Sequence, residues 1–293
     1  RHEGNYHPIP AIFQNRNAGA PAKWTYEADT TRQAQGAESW RIATLRLTLQ
    51  ASLRNKFNMY WDDQMPCIAP AYFGADGCRE QPESGAVVGP LGLGGLNSTS
   101  SPEISGYLNS VQRVQQVTWT STTTNRLLLE AGFGTFLATW GPEDTPGNPT
   151  RNLIRVQEQC PASSGCAANG NIPNLNYRSM NWSSNWSAAY RWRSSMSYVT
   201  GRQSVKLGYQ GSYYVEDDTA FSNVEYLNYR VANGVPNQFT QVINGNTRKS
   251  RTALAAFFAE EQWTVGRYTI QGAVRYDHSW SFFPEQTLGP HKW

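Results

Sequence analysis

Trp186-Ser187-Ala188-Ala189-Tyr190-Arg191-Trp192-Arg193-Ser194-Ser195-Met196-Ser197-Tyr198-Val199 alternates with a period of two. Trp186, Ala188, Tyr190, Trp192, Met196 and Tyr198 share one face of an extended chain, and Ser187, Arg191, Arg193, Ser195 and Ser197 share the other, because successive Cβ atoms of a strand point to opposite sides. Thr200-Gly201-Arg202 supplies a turn, after which Val205, Leu207, Tyr209 and Tyr213 alternate with Lys206, Gly208, Gln210 and Ser212. The stretch predicts a β-hairpin with one apolar and one polar face.

Working outward, the same pattern returns with other residues. Leu45, Leu47, Leu49 and Ala51 oppose Arg46, Thr48, Gln50 and Ser52, and Arg54-Asn55-Lys56 turns the chain into Phe57-Asn58-Met59-Tyr60-Trp61. Val117 and Trp119 oppose Gln116, Thr118 and Thr120. Beyond a turn at 121–125, Leu127, Leu129, Ala131, Phe133 and Leu137 continue one face. A pair near 223–231 and 237–244 is joined by Asn233-Gly234-Val235-Pro236, and a last pair near 251–263 and 268–278 by Val265-Gly266. Tyr268, Ile270, Val274 and Tyr276 oppose Thr269, Gln271, Arg275 and Asp277, whereas Ala and Phe occupy both parities of 253–261.

Composition agrees with an all-β chain whose surface is wetted by uncharged polar groups. Charged residues make up 16% of the 293 residues, below the roughly 25% of ordinary soluble domains, and aromatics reach 13%. Mean hydropathy is nevertheless −0.58. No apolar run approaches the roughly 18 residues of a membrane helix; spanning strands alternate and escape such a test. The net charge of +3 is spread without a Lys/Arg cluster, which leaves no electrostatic footprint for nucleic acid.

Connection lengths distinguish a membrane barrel from a soluble sandwich, which alternation alone leaves open. Turns within hairpins span two to five residues, while the connections 65–110 and 141–185 are long and those near 216–222 and 245–250 short. Short turns at one end and long loops at the other are the asymmetry of transmembrane barrels. Several strands reach the roughly 9 to 11 residues a tilted membrane strand requires. Trp119, Trp140, Trp186, Trp192, Tyr198, Trp263 and Tyr268 fall near strand ends or on the apolar parity, as in an interfacial aromatic girdle. Arg46, Gln50, Glu130, Arg191, Arg193, Lys206, Gln210, Arg275 and Asp277 occupy the polar parity and are the candidates for a wet inner wall.

Cys67 with Cys78 and Cys160 with Cys166 form two close pairs in Gly/Pro/Ser-rich stretches. Local disulfides suit an oxidising compartment; the competing zinc reading lacks C-x-x-C spacing and a nearby His. Catalysis is not expected: His2, His7, His278 and His291 lie near the ends, and no nucleophile motif occurs. Asp62-Asp63, Glu216-Asp217-Asp218 and Glu260-Glu261 are candidates for acid/base pairs or Ca²⁺ ligands, with rim or lumen lining as the plainer reading. No cofactor motif stands out: Gly89-Pro90-Leu91-Gly92-Leu93-Gly94-Gly95 lacks the strand-to-helix context of a phosphate cradle.

Phe257-Phe258-Ala259-Glu260-Glu261-Gln262-Trp263-Thr264-Val265 followed by Tyr268-Thr269-Ile270-Gln271-Gly272-Ala273-Val274-Arg275-Tyr276-Asp277 resembles the paired barrel strands of TonB-dependent receptors of the Oar-like type. Glu260-Glu261 stands where that family has Gln-Asp, and Ala273 intervenes after Gly272. Leu45-Arg46-Leu47-Thr48-Leu49-Gln50, Thr118-Trp119-Thr120, Asn125-Arg126-Leu127-Leu128-Leu129-Glu130-Ala131-Gly132, Val205-Lys206-Leu207-Gly208-Tyr209-Gln210 and Asn233-Gly234-Val235-Pro236 follow in family order over about residues 24–293.

The resemblance implies a Gram-negative outer-membrane barrel of about 22 strands with a plugged lumen. About ten strands are visible, so the expectation is a portion of such a barrel, with plug, N-terminal domain and TonB-contacting segment outside residues 1–293. It also implies TonB-dependent uptake of a small solute such as a siderophore, oligosaccharide or peptide, with outer-membrane lipid, plug and TonB as partners. A secreted all-β glycan-binding or adhesin domain is the alternative.

Overall fold

The computed structural model describes residues 2–68, 99–104, 108–109, 111–141, 150–159, 172, 174–222, 226–241 and 246–286. The strands are β1 (His2–Asn15), β2 (Ala28–Gln50), β3 (Asn55–Ile68), β4 (Thr99–Ser100), β5 (Leu108–Asn109), β6 (Gln112–Thr124), β7 (Leu127–Trp140) and β8 (Arg155–Glu158). They continue with β9 (Leu175–Tyr177), β10 (Trp182–Val199), β11 (Gln203–Phe221), β12 (Leu227–Ala232), β13 (Val235–Gln241), β14 (Asn246–Val265) and β15 (Tyr268–Phe282). The only helical element among the described residues is a 3₁₀ turn, Pro102–Ile104.

One large sheet runs β1-β2-β3-β6-β7-β10-β11-β14-β15, with β5 added to β3. Every pairing along it is antiparallel. Among the described residues β1 and β15 pair only with β2 and β14, so the sheet is open: an all-β, partial barrel wall of up-and-down hairpins. The β2/β3, β6/β7, β10/β11 and β14/β15 turns occupy 51–54, 125–126, 200–202 and 266–267. Gly266 has φ +61 in its two-residue turn, a conformation that favours glycine.

All long connections leave from the opposite ends of these strands, at 16–27, 69–111, 141–181 and 222–245. The sequence expectation of short connections near 216–222 and 245–250 is corrected here, because the 227–241 hairpin is not part of the wall. β12 and β13 belong to a second sheet, ordered β13-β12-β8-β9-β4, built wholly from the long connections. Their turn is the expected one: Asn233 and Gly234 have φ 51° and 81°, the left-handed pair that a two-residue hairpin turn needs.

The strands also exceed expectation, with 23 residues in β2 and 20 in β14. A tilted membrane strand needs about 9 to 11, and the surplus of β2 reaches the loop layer, where Ala28 packs against its core. β1 was not anticipated; Pro8 and Pro10 obscure its pattern, and its pairing with β2 is broken by register shifts between Pro8 and Phe13 around Ala11, whose φ is 61°.

The clustered hydrophobic core lies in the loop layer and at the adjoining end of the large sheet, where Trp182 opens β10. Tyr26, Val156, Leu175, Tyr177 and Val231 pack together, with Ile104, Met180 and Trp182 as a second cluster. The single-layer wall leaves large apolar side chains in the open: Tyr268 is 78% exposed, Val274 68% and Ile270 62%.

Candidate functional site

Cross-strand partners share a face, so the register carries one face across the wall. Leu47, Met59, Val117, Phe133, Trp192, Gly211, Ala255 and His278 mark one side, each the direct cross-strand partner of the one before. The register also settles 253–261: Ala253, Ala255, Phe257, Ala259 and Glu261 join the apolar face, opposite Tyr213, Gly211, Tyr209, Leu207 and Val205. Leu254, Ala256, Phe258 and Glu260 join the polar one, opposite Ser212, Gln210, Gly208 and Lys206.

On β11 the apolar face runs from Val205 to Val215 and stops at Asp217, which is paired with Arg251 at 2.7 Å. On β3 it stops at Asp63, paired with Arg113 at 2.8 Å. Val205 to Val215 covers roughly 33 Å of strand, or about 25 Å of height at a barrel tilt near 40°. That is the height of the apolar band of outer-membrane barrels.

The candidate aromatic girdle is divided by this geometry. Trp119, Tyr198, Trp263 and Tyr268 lie on the apolar face toward the short turns, with Trp119 Nε1 donating to Asn55 Oδ1 at 3.0 Å. Trp186 lies on that face toward the loop layer, and Trp192 lies mid-strand with its indole across Gly211. Trp140 departs from the expectation: it pairs with Asn185, one residue out of phase with Trp186, and donates from Nε1 to Ser187 Oγ at 2.9 Å on the polar face.

The nine polar-parity candidates, Arg46, Gln50, Glu130, Arg191, Arg193, Lys206, Gln210, Arg275 and Asp277, all fall on the single opposite face. Several are tied to one another. Arg275 binds Asp277 through Nε and Nη2 at 2.8–3.0 Å and donates to Gln210 Oε1 at 3.2 Å. Ser195 donates to Glu130 at 3.2 Å, Arg46 stacks over Tyr60 at 4.9 Å, and Arg191 donates to Tyr214 Oη. Lys206 stands opposite Glu260.

Adjacent carboxylates diverge because neighbouring strand residues point to opposite faces. Asp62 accepts from Thr44 and Gln64 on the polar face while Asp63 meets Arg113 on the other. Glu216 and Asp218 likewise part from Asp217, and Glu260 from Glu261. The acid/base and Ca²⁺ readings of the adjacent pairs are therefore corrected; Glu216 and Asp218 share the polar face but are engaged by Ser250 and Arg248, and no cluster of three His, Cys, Asp or Glu that could hold a metal occurs among the described residues. Cys67 lies in β3, its backbone paired with Ser39 and Asn109; Cys78, Cys160 and Cys166 lie outside the described residues.

Sequence reasoning missed two features. Gly132 and Gly134, both on the polar face, leave a cavity of about 680 Å³ beside Arg191 and Arg193; glycines at alternate positions of a strand are a legible signal of such an opening. The second is the loop layer, where buried polar groups fasten one connection to another. Glu103 accepts from Ser101 Oγ at 2.5 Å and Asn15 N at 3.1 Å, and burial holds its carboxyl above the usual range. Glu158 accepts from the Asn233 and Gly234 amides at 2.7 and 3.1 Å. Burial pushes the Tyr26 phenol up to about 12 and lowers the Arg178 guanidinium.

The chain's fold matches part of a solved outer-membrane barrel. It superposes on the outer membrane transporter YddB from Escherichia coli with a TM-score of 0.53 and 10% identity, over 95% of this chain and 30% of that one. The unliganded ferric citrate transporter FecA gives a TM-score of 0.41 and 9% identity, over 86% and 32%. The chain thus spans about a third of the length of each. No protein-family model and no curated protein sequence matches it.

Proposed function

We propose that this chain is part of the wall and the outer loop layer of an outer-membrane transporter, with its apolar face toward lipid and its polar face toward the lumen. The observation that carries the reading is an open sheet with an apolar band about 25 Å high on one face and the clustered hydrophobic core gathered at and beyond one end of it. A soluble sandwich would cover that band with a second sheet. Here the second sheet is made of the long connections and packs its core among them.

In the whole protein the lumen would hold a plug domain, and uptake of a siderophore, oligosaccharide or peptide-like solute would draw energy through TonB contacted outside residues 1–293. The motif resemblance in 257–277 supports this finer reading. The arrangement calls for binding and passage, not bond chemistry. Both charge signs on the polar face suit hydrogen bonding to a plug or a polar solute.

Leu207→Cys and Gln210→Cys, made in the whole protein in native outer membranes, test the reading. A membrane-impermeant maleimide applied to opened membranes, with labelling read peptide by peptide by mass spectrometry, should modify position 210 and spare position 207. Equal labelling at the two positions, or a protein recovered in the soluble fraction, rejects it in favour of a secreted all-β binding domain.

A further inference from the structure

The polar face is not uniformly polar. One row toward the loop layer from Gly134, Val114 and Phe136 pair across β6 and β7 and interrupt it with an apolar step that lines the same cavity, and Leu254 of β14 lines it from the far side of β10. Arg191 and Arg193 of β10 stand between them, and no carboxylate lines the cavity among the described residues. Arg193 lies across Gly132, its Nε 3.2 Å from where a Cβ would stand, and has no hydrogen-bond or ion-pair partner among the described residues. Arg191 is held by Tyr214, stacked at 5.6 Å and donating to its hydroxyl. Elsewhere on this face Arg275 pairs with Asp277 and Arg248 with Asp218, so those guanidinium groups are committed to carboxylates.

Building on the barrel-wall reading, we propose that this cavity binds an oxyanion carried on an apolar body, such as an aromatic or branched carboxylate. The oxyanion takes the two guanidinium groups, of which Arg193 supplies an uncommitted fork suited to paired acceptors. The apolar body lies on the paired Phe136 and Val114, which otherwise waste apolar surface on a wet wall. Gly132 and Gly134 matter because side chains there would fill the floor. A Cβ on Gly134 meets Gln115 O at 3.3 Å and otherwise only the Gln116 side chain, so a larger residue would extend into the cavity. The pocket thus has the mixed lining of small-molecule sites, mostly apolar with a few placed polar groups.

The test uses the whole protein in lipid nanodiscs with 3-phenylpropionate as probe and its amide as the uncharged control, binding being read by saturation-transfer NMR. Saturable binding of the acid should weaken about ten-fold or more in Arg193→Gln and for the amide, the loss expected when a charged hydrogen-bond partner is removed. Arg193→Lys should retain part of it and Gly134→Leu should abolish it, with heat-modifiable migration checking that each variant folds. Equal binding of acid and amide, or no saturable binding, overturns the proposal. If binding fails while Arg193 resists phenylglyoxal in the intact protein, the occupant is a segment of the protein itself, and the proposal is again overturned. A protein absent from the outer membrane rejects the barrel-wall reading instead; one present there that does not distinguish acid from amide rejects the site alone.

Discussion

The guanidinium of Arg178 sits 4.0 Å from the centre of the Trp24 ring and donates to the carbonyls of Pro21, Lys23 and Ile154. One side chain from the 141–181 connection thereby gathers the 16–27 connection, and Trp24 in turn meets Tyr229 of β12 at 5.7 Å. Arg178 is buried and has φ 71°, a backbone conformation that non-glycine residues adopt at a cost.

Arg178→Lys keeps the charge but loses the planar fork and the stacking. The expected cost to the loop layer is about 1–3 kcal/mol. It should appear as faster hydrogen exchange at 16–27 and 154–156, with the wall strands β10 and β11 unchanged. Uniform loosening of wall and layer would show that the two unfold as one unit.

Glu103 gives the loop layer a pH dependence. Its carboxyl is raised above the ordinary value of 4.5 by burial, so the folded layer binds this proton more tightly than the unfolded chain does. The stabilisation is fully present below the ordinary carboxyl range and is lost as pH rises through the raised value. Tyr26, pushed up to about 12, stays neutral over that window. Proteolysis of the layer should therefore be slower near about pH 4.5 than near about pH 8, and Glu103→Gln should flatten the difference. A steeper slope in the variant would assign the effect to other groups.

Face assignment predicts an asymmetry between neighbouring substitutions. Tyr209→Arg places a charge near the middle of the apolar face and should cost about 2–4 kcal/mol of folding free energy in lipid. Ser195→Arg, on the polar face beside Glu130, should stay within about 0.5 kcal/mol. Urea titration in phospholipid vesicles measures both; a reversed order would invert the wall.

Two glycines make room for rings on opposite faces. A Cβ on Gly211 would stand 2.3 Å from Trp192 Nε1, and one on Gly208 would stand 2.1 Å from Phe258 Cζ. Gly211→Val and Gly208→Val should each cost about 1–3 kcal/mol by forcing the ring aside. The readout is a lower temperature for loss of heat-modifiable migration, with Trp192→Leu relieving Gly211→Val and not Gly208→Val.

The wall was legible in the sequence wherever one face is apolar and the other polar. Leu45 to Gln50, Trp186 to Tyr198 and Tyr268 to Asp277 each show their register by alternation alone, and the turns at 200–202 and 266–267 fall where glycine stands. Phe257 and Phe258 did not, because with apolar residues on both parities only pairing with Tyr209 and Gly208 tells their faces apart. The loop layer was not legible for a different reason. Its strands are 2 to 7 residues long, too short for periodicity. Two of its pairings are parallel, joining segments far apart in the chain. Asn233-Gly234 announced a hairpin, but nothing local says which sheet a hairpin joins. Trp140 was misassigned because a strand-end aromatic suggests an interface anchor, while its face depends on a one-residue phase.

Tyr26, Val156, Leu175, Tyr177 and Val231 come from three separate connections and fill one core, with Glu103 tethering a fourth to Asn15. Loops so interlocked cannot be exchanged one at a time: replacing 222–245 alone would strip Val231 from a core that the others still present. Recombination between such proteins would succeed at the short turns, carrying whole hairpins and the complete layer together. The ends of this wall would therefore exchange only as a single part, and a change in what they meet would come by substitution on a shared frame.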